Sequence, residues 1–286
     1  MASRESLLIT TAELAVRLGD PRLRIADIRG SIKPVSAARP HYAAKTEAYR
    51  ESHIPGAVFV DWTLDITDPT APVHMMLAGP ERFTALMERL GIGDDSAVVV
   101  YDDSGGLAPR LWWALRYYGH DQVRILDGGW TKWMAEGRPV SADVPPMRSA
   151  TFTSRIQSEW RADAVAVRAA TQSPRVAIVD CRTHDEWAGK IGRGERTGRI
   201  PGAKNMPSAL ALEGEFRTWK EGAEIRDLYA RAGVTSSVPV ITYCNAGVSA
   251  SVGLFALKLA GFDDVRNYSG SWYEWESDPT NPIERD

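Results

Sequence analysis

Two cysteines, Cys181 and Cys244, are the strongest candidate nucleophiles in the 286-residue sequence. They lie far apart and the chain has no Cys-x-x-Cys pair, so the sequence does not predict a disulfide framework. The five histidines are scattered, which argues against a zinc site, and we expect no metal. Free cysteines fit a reduced cytoplasmic setting, where a single special cysteine is a candidate catalytic nucleophile.

Cys244 is the better candidate because of the loop that it opens. It follows the predicted strand Val238–Tyr243, and a helical stretch comes after the loop residues Asn245, Ala246, Gly247, Val248 and Ser249. A tight loop leading into a helix aims backbone N–H groups inward, and the helix N-terminus adds partial positive charge, which stabilises a sulfur anion. Gly247 permits the turn, and Ser249 can hydrogen-bond the sulfur or cap the helix.

The elements around this loop occur twice in the chain. Val98–Trp133 aligns with Val240–Trp275 without a gap, at a constant offset of 142 residues. The identities include Tyr101 with Tyr243, Gly105 with Gly247, Gly119 with Gly261, Trp130 with Trp272 and Trp133 with Trp275. Two earlier segments, His53–Ala57 and Ala26–Arg29, resemble Arg199–Ala203 and Val179–Arg182. The chain is therefore a tandem duplication, in which Asp102 occupies the place of Cys244.

Each half alternates predicted strands with predicted helices. Further strands are expected at Val98–Tyr101 and Val176–Asp180, and helices at Thr11–Leu18, Pro80–Leu90 and Glu224–Ala232. Gly261 is the expected C-terminal cap of the helix after the Cys244 loop. This alternation predicts an α/β fold of two tandem units, each a parallel sheet flanked by helices. We expect an N-terminal domain at residues 1–140, a Pro-containing linker at 141–153 and a C-terminal domain at 154–286.

Charge and hydropathy argue against two classes of partner. The net charge is −3 and the pI is about 6.0, so no basic face is expected in bulk and no nucleic acid is predicted to bind. No apolar run approaches the ~18 residues that a membrane span needs, and the first residues lack the apolar segment of a secretion signal. The sequence therefore predicts a soluble protein that is not exported.

The motifs together resemble the rhodanese/3-mercaptopyruvate sulfurtransferase family. They are the Cys-x-x-Gly-Val-Ser loop, the Ile-Pro-Gly-Ala segments, the Asp-Gly-Gly-Trp and Gly-Ser-Trp stretches and the duplication itself. The resemblance implies two rhodanese-like domains, with catalysis in the second. Cys244 would take a sulfur from thiosulfate or 3-mercaptopyruvate as a persulfide and pass it to cyanide or to a thiol, such as a thioredoxin-like protein, without a cofactor. Asp102 cannot form a persulfide, so the first domain should be catalytically silent.

The sulfur donor is harder to predict than the sulfur chemistry. Rhodaneses selective for thiosulfate tend to have basic residues in the loop, whereas Asn245 and Ala246 are uncharged and look more like the mercaptopyruvate branch. That branch typically has Gly-Ser in place of Asn245-Ala246, so the serine-containing relay of that branch is not expected in this chain. Glu186 stands where the family has a substrate-binding arginine. The substrate anion is therefore assigned to Arg193, Arg196 or Arg199, and the alternative is a solvated basic loop.

His74 matches a histidine that the mercaptopyruvate branch places near the active cysteine. It is a candidate proton relay, with Asp61 or Asp65 as weaker candidate partners, and the alternative is a surface or interdomain histidine. Cys181 ends a predicted strand and is expected in the core. The four tryptophans that recur in both halves are also expected in the core, because only one half has the cysteine.

Two other classes of protein remain as alternatives. The dual-specificity phosphatases have a similar fold, but their loop is one residue longer and ends in an arginine that grips phosphate. No arginine lies between Asn245 and Gly253 here, so phosphate would lack its bidentate clamp. The second alternative is a non-catalytic rhodanese-fold binding module. Such modules usually lose the cysteine, which this chain retains.

Overall fold

The computed structural model of the protein describes residues 3–103, 105–146 and 148–286. The elements of the N-terminal half are α1 (Arg4–Leu7), β1 (Leu8–Ile9), α2 (Thr11–Val16), β2 (Leu23–Asp27), β3 (Gly30–Ile32), β4 (Tyr42–Ala44), α3 (Thr46–Glu51), β5 (Ala57–Phe59), α4 (Pro80–Arg89), β6 (Ala97–Tyr101), α5 (Ala108–Tyr117), β7 (Val123–Leu126) and α6 (Gly129–Ala135).

The C-terminal half begins with a short 3-10 helix at Ser158–Trp160 and has a second one at Ser208–Ala211. Its other elements are β8 (Arg161–Ala162), α7 (Ala164–Thr171), β9 (Ala177–Asp180), α8 (His184–Trp187), β10 (Lys204–Asn205), β11 (Leu212–Glu213), β12 (Thr218–Trp219), α9 (Gly222–Arg231), β13 (Val240–Tyr243), α10 (Val248–Leu259), β14 (Val265–Tyr268) and α11 (Ser271–Ser277). None of the helices that the structure describes is long and apolar enough to cross a lipid bilayer.

Each half folds around one five-stranded sheet, and the two sheets have the same strand order. The order is β1-β7-β6-β2-β5 in the first half and β8-β14-β13-β9-β10 in the second. All neighbouring strands within both sheets are parallel. The predicted α/β fold of two tandem parallel-sheet units is therefore confirmed. Parallel strands place all their carboxyl ends at one edge, and β13 carries Cys244 to that edge.

The predicted elements are present, and each begins and ends within two residues of its predicted bounds. Helix α10 ends with a Schellman motif, in which the N–H of Gly261 donates to Lys258 O and that of Phe262 donates to Leu257 O. Gly261 has φ of +82°, which a residue with a side chain rarely adopts. It therefore lies one residue beyond the C-cap, Ala260, and closes the helix as its sequence position indicates.

The two halves share one hydrophobic core. Helices α5 and α10, which are equivalent in the duplication, pack against each other across the boundary between the halves. Trp112 on α5 meets the edge of the Phe255 ring on α10 with 4.9 Å between ring centroids. Because each helix covers its own sheet and also the other helix, α5 and α10 are buried along most of their length. Helix α5 of the first half is therefore part of the hydrophobic core that also covers α10 of the second half.

The segment between the two sheets packs against the first half. Apart from a β-bridge at Ser141, no regular secondary structure occurs in the described residues from 138 to 157. Phe152 is buried against Phe83, and the N–H groups of Arg155 and Gln157 donate to carbonyls at the end of α5. The predicted domain limits at residues 140 and 153 stay a prediction.

A buried Asp-Arg-Tyr network recurs at the same place in both sheets. In the second half, Arg182 Nη2 lies 2.5 Å from Asp180 Oδ2, and the Tyr243 hydroxyl donates to the same oxygen at 2.5 Å. Backbone register places Asp180 directly beside Tyr243 on the neighbouring strand. Trp272 covers the Arg182 guanidinium at 4.5 Å, which explains why this tryptophan recurs. The network fixes the end of β13, one residue before Cys244.

The first half repeats this network with Asp27, Arg29 and Tyr101, and Trp130 lies over the arginine at 4.3 Å. Trp133, Trp272 and Trp275 are fully buried and Trp130 is partly buried. These tryptophans therefore serve the core, as predicted. In both halves the tyrosine hydroxyl also accepts an N–H from the Ile-Pro-Gly-Ala segment. The repeated sequence motifs are therefore parts of one repeated contact set.

We expect Tyr243→Phe to lower the free energy of unfolding by about 2 kcal/mol, because the buried Asp180 carboxylate loses a donor. Tyr101→Phe is the matched change in the first half and should have a similar effect. Urea-induced unfolding measures both values. Losses below about 0.5 kcal/mol, which are typical of surface positions, would show that the network does not stabilise the fold.

Candidate active site

The Cys244 loop has the conformation that its sequence predicts. Cys244 follows β13 directly, Gly247 has φ of +74° as the N-cap residue of α10, and the helix begins at Val248. A Cβ at Gly247 would lie 2.7 Å from the Ser269 carbonyl oxygen, so both the turn and the close approach require glycine. The Ser271 hydroxyl accepts the N–H of Cys244 at 3.1 Å and anchors the start of the loop.

Both halves line the cleft that contains Cys244. Its volume is about 380 Å³, and the first half contributes part of the wall, including Lys33 and Tyr42, while the second half contributes the rest. Asn245, Ala246, Val248 and Ser249 line the cleft beside Cys244. Cys244 itself is 3% exposed. A small molecule can therefore meet the sulfur only inside this partly enclosed space.

The equivalent loop of the first half contains a carboxylate. Asp102 accepts backbone N–H groups from Gly105, Leu107 and Ala108, the last at 2.7 Å. The offset of 142 residues makes these three donors equivalent to the N–H groups of Gly247, Ser249 and Ala250. The first-half loop therefore directs three backbone donors at one carboxyl group. Burial raises the pKa of Asp102, and these three hydrogen bonds act in the opposite direction.

Arg110 of the first half lies behind the Cys244 loop. It is 1% exposed, and its guanidinium donates to Gly247 O at 3.3 Å and to Met75 O at 3.0 Å. Burial lowers the pKa of Arg110 to about 10, and the nearby Cys244 works in the opposite direction. The sequence analysis missed this residue. Its signal was a charge inside the apolar helix α5, at a position where the second half has Val252.

Of the three arginines assigned to the substrate anion, only Arg193 reaches the cleft. It lines the cleft, is 9% exposed and donates to Lys33 O at 2.7 Å. Arg196 instead donates to the carbonyls of Glu276, Asp278 and Asn281 in the C-terminal segment. Arg199 pairs with Glu284 and Asp286 and lies over Trp187 at 3.9 Å.

This placement corrects two of the predicted substrate contacts. Arg196 and Arg199 tie the C-terminal segment to the second half, because their guanidinium groups are engaged by carbonyls and carboxylates there. The cluster of three arginines suggested one anion site in the sequence. Of the three, only Arg193 lines the Cys244 cleft. Arg193 stays a candidate for binding the substrate.

Glu186 is buried in the cleft beside Asn245. It is the third residue of α8 and forms a capping box with Thr183, which fixes its backbone. Asn245 Nδ2 donates to Glu186 Oε1 at 2.8 Å, and Arg193 Nε lies 3.7 Å from the same oxygen. Glu186 therefore connects the loop to Arg193. The sequence analysis noted that an acid replaces an arginine here but not that the acid is part of the site.

His74 lies in a neighbouring cleft rather than beside Cys244. It shares that cleft with Arg39, Tyr42 and Tyr273, and its ring lies 5.7 Å from Tyr42 and 5.8 Å from Tyr273. The two tyrosine hydroxyls are 3.3 Å apart, and Tyr42 lines both clefts. Burial, and then the charge of Arg39, lower the pKa of His74, so the ring is neutral at pH 7.

The predicted partners of His74 are engaged elsewhere. Asp61 accepts from Thr63, and Asp65 pairs with Arg89 at 2.9 Å. Ser249 is the second residue of α10 and lines the cleft, whereas Gly247 occupies the N-cap position, so capping by Ser249 is not observed. Cys181 is buried, and burial raises its pKa well above the usual range, which keeps it a thiol in the core.

The fold and site define a two-unit α/β protein with one cysteine-centred anion loop, and known proteins agree with this class. The rhodanese-like domain family matches residues 10–136 and 163–278. A thiosulfate sulfurtransferase of Corynebacterium glutamicum is 36% identical over 97% of this chain and 90% of its own length. A probable 3-mercaptopyruvate sulfurtransferase of Pseudomonas aeruginosa is 33% identical over 96% of this chain and 97% of its own.

A solved structure agrees as well. The crystal structure of SseA from Escherichia coli, a 3-mercaptopyruvate sulfotransferase, covers 93% of this chain and 98% of its own with a TM-score of 0.82 and 31% identity. The chain belongs to the rhodanese family, and it is a sulfurtransferase. The resemblance inferred from the motifs is confirmed.

We expect Arg110→Met to slow the alkylation of Cys244 by iodoacetamide about tenfold at pH 7, because the thiolate loses a buried cation. Arg110→Lys should restore part of the rate. Mass analysis of the Cys244 peptide separates this reaction from that of Cys181. Arg116→Met is the control, since Arg116 lies on the same helix but pairs with Asp121. Equal rates in wild type and Arg110→Met would contradict the assigned role.

Proposed function

We propose that Cys244 accepts a sulfane sulfur from 3-mercaptopyruvate or thiosulfate as a persulfide and passes it to a thiol acceptor, or to cyanide in an assay. The Asp102 loop is the observation that carries this proposal. Three backbone N–H groups hold its carboxylate, and the equivalent groups surround the position that the outer sulfur of a Cys244 persulfide would take. A persulfide is an anion, so the same donors stabilise it without metal or cofactor.

In the first half-reaction the Cys244 thiolate attacks the outer sulfur of thiosulfate or the thiol sulfur of 3-mercaptopyruvate. With thiosulfate the S–S bond breaks and sulfite leaves with the bonding electrons. With 3-mercaptopyruvate the C–S bond breaks, and the electrons move to carbon to form the enolate of pyruvate, which takes up a proton. In both cases Cys244 gains one sulfur atom. The N–H groups of Gly247, Ser249 and Ala250 offset the charge that develops on that sulfur.

In the second half-reaction an acceptor thiolate attacks the outer sulfur of the persulfide. The S–S bond of Cys244 breaks, the Cys244 thiolate is restored, and the acceptor leaves as a persulfide. Splitting the transfer in this way replaces one difficult step by two easier ones. A thioredoxin-like protein in the cytoplasm is the type of acceptor that we propose, because the cleft opens at the surface and both cysteines are free thiols.

The cleft residues suggest how the donor is held. Arg193 supplies the guanidinium for a carboxylate, and Asn245, Ala246, Gly247 and Val248 shape the wall beside the sulfur. Ser249 offers a hydroxyl to the sulfur. Neutral His74 can move a proton only through the pair of Tyr42 and Tyr273, since its cleft adjoins that of Cys244 at Tyr42. Of the two donors we favour 3-mercaptopyruvate, because Glu186 opposes a dianion.

The protein should gain about 32 Da, the mass of one sulfur atom, after incubation with 3-mercaptopyruvate or thiosulfate. Intact-mass spectrometry measures the gain, and cyanide should remove it and yield thiocyanate. Cys244→Ser should abolish the adduct, whereas the matched variant Cys181→Ser should retain it. An adduct that persists in Cys244→Ser, or no adduct with either donor, would refute the proposal.

A further inference from the structure

The polar groups that line the Cys244 cleft are not matched to a dianion. Arg182 is neutralised by Asp180 at 2.5 Å, and Arg193 faces Glu186 at 3.7 Å. Lys33 is exposed at the rim. Each arginine inside the cleft therefore already faces a carboxylate, and a Cys244 thiolate would add a further negative charge. In a space of low dielectric a second negative charge on the donor has no cation left to face.

Asn245 presents a hydrogen-bond acceptor that the protein does not use. A carboxylate can only accept, so the bond to Glu186 fixes Nδ2 toward that residue and Oδ1 away from it. Oδ1 is buried and has no partner among the residues that the structure describes, although Asn245 is only 8% exposed. A buried acceptor without a donor costs free energy, which a ligand that brings an N–H group regains.

Arg193 presents the complementary group. Its Nη2 donates to Lys33 O, but Nη1 is buried and has no hydrogen-bond partner within the described part of the chain. One oxygen, Glu186 Oε1, contacts both Asn245 and Arg193. The cleft therefore offers an unused acceptor and an unused cationic donor on either side of one carboxylate. Both atoms are buried, so a ligand group reaches them only when the side chains of Asn245 and Arg193, which line the cleft, turn toward it.

We propose that Glu186, Asn245 and Arg193 recognise the ammonium and carboxylate of an amino-acid persulfide of the cysteine type as a sulfur donor. The ammonium would donate to Asn245 Oδ1 and face Glu186, and the carboxylate would accept from Arg193 Nη1. Asn245 directly follows Cys244 in the protein. In cysteine, two carbon atoms separate the sulfur from the nitrogen. The distance between sulfur and ammonium in the donor is therefore short, as is the separation of Cys244 and Asn245 along the chain. Thiosulfate carries no hydrogen-bond donor, so it cannot use Asn245 Oδ1, and Glu186 opposes its second negative charge.

The transfer itself is balanced. The Cys244 thiolate attacks the outer sulfur of the donor persulfide, the donor S–S bond breaks, and the donor leaves as the thiolate of the amino acid. The new S–S bond is that of the Cys244 persulfide, and no external oxidant or reductant takes part. This inference rests on the proposed Cys244 persulfide and adds a further class of donor to those proposed above.

The test compares donors that differ in one group. Cysteine persulfide, the persulfide of 3-mercaptopropionate, which lacks the ammonium, and that of cysteamine, which lacks the carboxylate, are each mixed with the reduced protein. Quenched-flow mass spectrometry then gives the second-order rate of sulfur gain at Cys244. We expect the rate with cysteine persulfide to exceed both others by about tenfold or more, because each analogue loses one charge-assisted hydrogen bond.

Two variants link that preference to the named residues. Asn245→Leu should bring the rate of sulfur gain from cysteine persulfide down to about the rate from 3-mercaptopropionate persulfide, so that the ratio of the two rates is about one. Glu186→Gln, which keeps the capping box, should raise the rate with thiosulfate about tenfold. Glu224→Gln is the matched control, since Glu224 holds the same capping-box position in α9 on an exposed surface. It should leave every rate unchanged.

The outcomes separate the two proposals. If Cys244 gains sulfur from all three persulfides at similar rates, the recognition site is refuted and the persulfide chemistry stands. If Cys244 gains sulfur from no donor, including 3-mercaptopyruvate, the proposed function itself fails. A preference for cysteine persulfide that survives in both Asn245→Leu and Glu186→Gln would show that other residues recognise the donor.

Discussion

The convergence of backbone N–H groups on one point is the interaction on which this structure depends. A parallel strand delivers Cys244 to the sheet edge, and a loop closed by Gly247 leads from it into α10. In the equivalent loop of the first half, three backbone N–H groups converge on the carboxylate of Asp102. The geometry of the Cys244 loop holds only if the end of β13 is fixed, and the buried network of Asp180, Arg182 and Tyr243 fixes it one residue earlier. The peptide bond between Tyr243 and Cys244 therefore joins the network that stabilises the fold to the residue that carries the proposed chemistry.

The duplication divides the work between two copies of one scaffold. The first copy keeps the network and the anion loop but fills the loop with its own carboxylate, Asp102. It still serves the second copy, because Arg110 reaches behind the active loop and Tyr42 forms a wall of the cleft. The half without the cysteine is thus a structural partner, whose buried surfaces and charges complete the other half.

Much of this could be predicted from the sequence, for identifiable reasons. The gapless repeat and the alternation of strands and helices are local signals, so they predicted the fold and the presence of Asp102 at the position equivalent to Cys244. The contacts of Arg193, Arg196 and Arg199 were not predictable, because spacing along a loop does not tell which guanidinium meets a carbonyl and which meets the cleft. Arg110 and Glu186 contact residues of other elements, and the sequence alone does not show which elements lie next to each other.

The central claim is that the loop holds an anionic sulfur as its twin holds a carboxylate. The most direct measurement is a crystal structure of the protein after reaction with a sulfur donor. Superposed on the first half, the outer sulfur on Cys244 should coincide with the Asp102 carboxylate oxygens, within hydrogen-bonding reach of the N–H groups of Gly247, Ser249 and Ala250. Added sulfur on Cys181, or a persulfide that points away from these groups, would contradict the account.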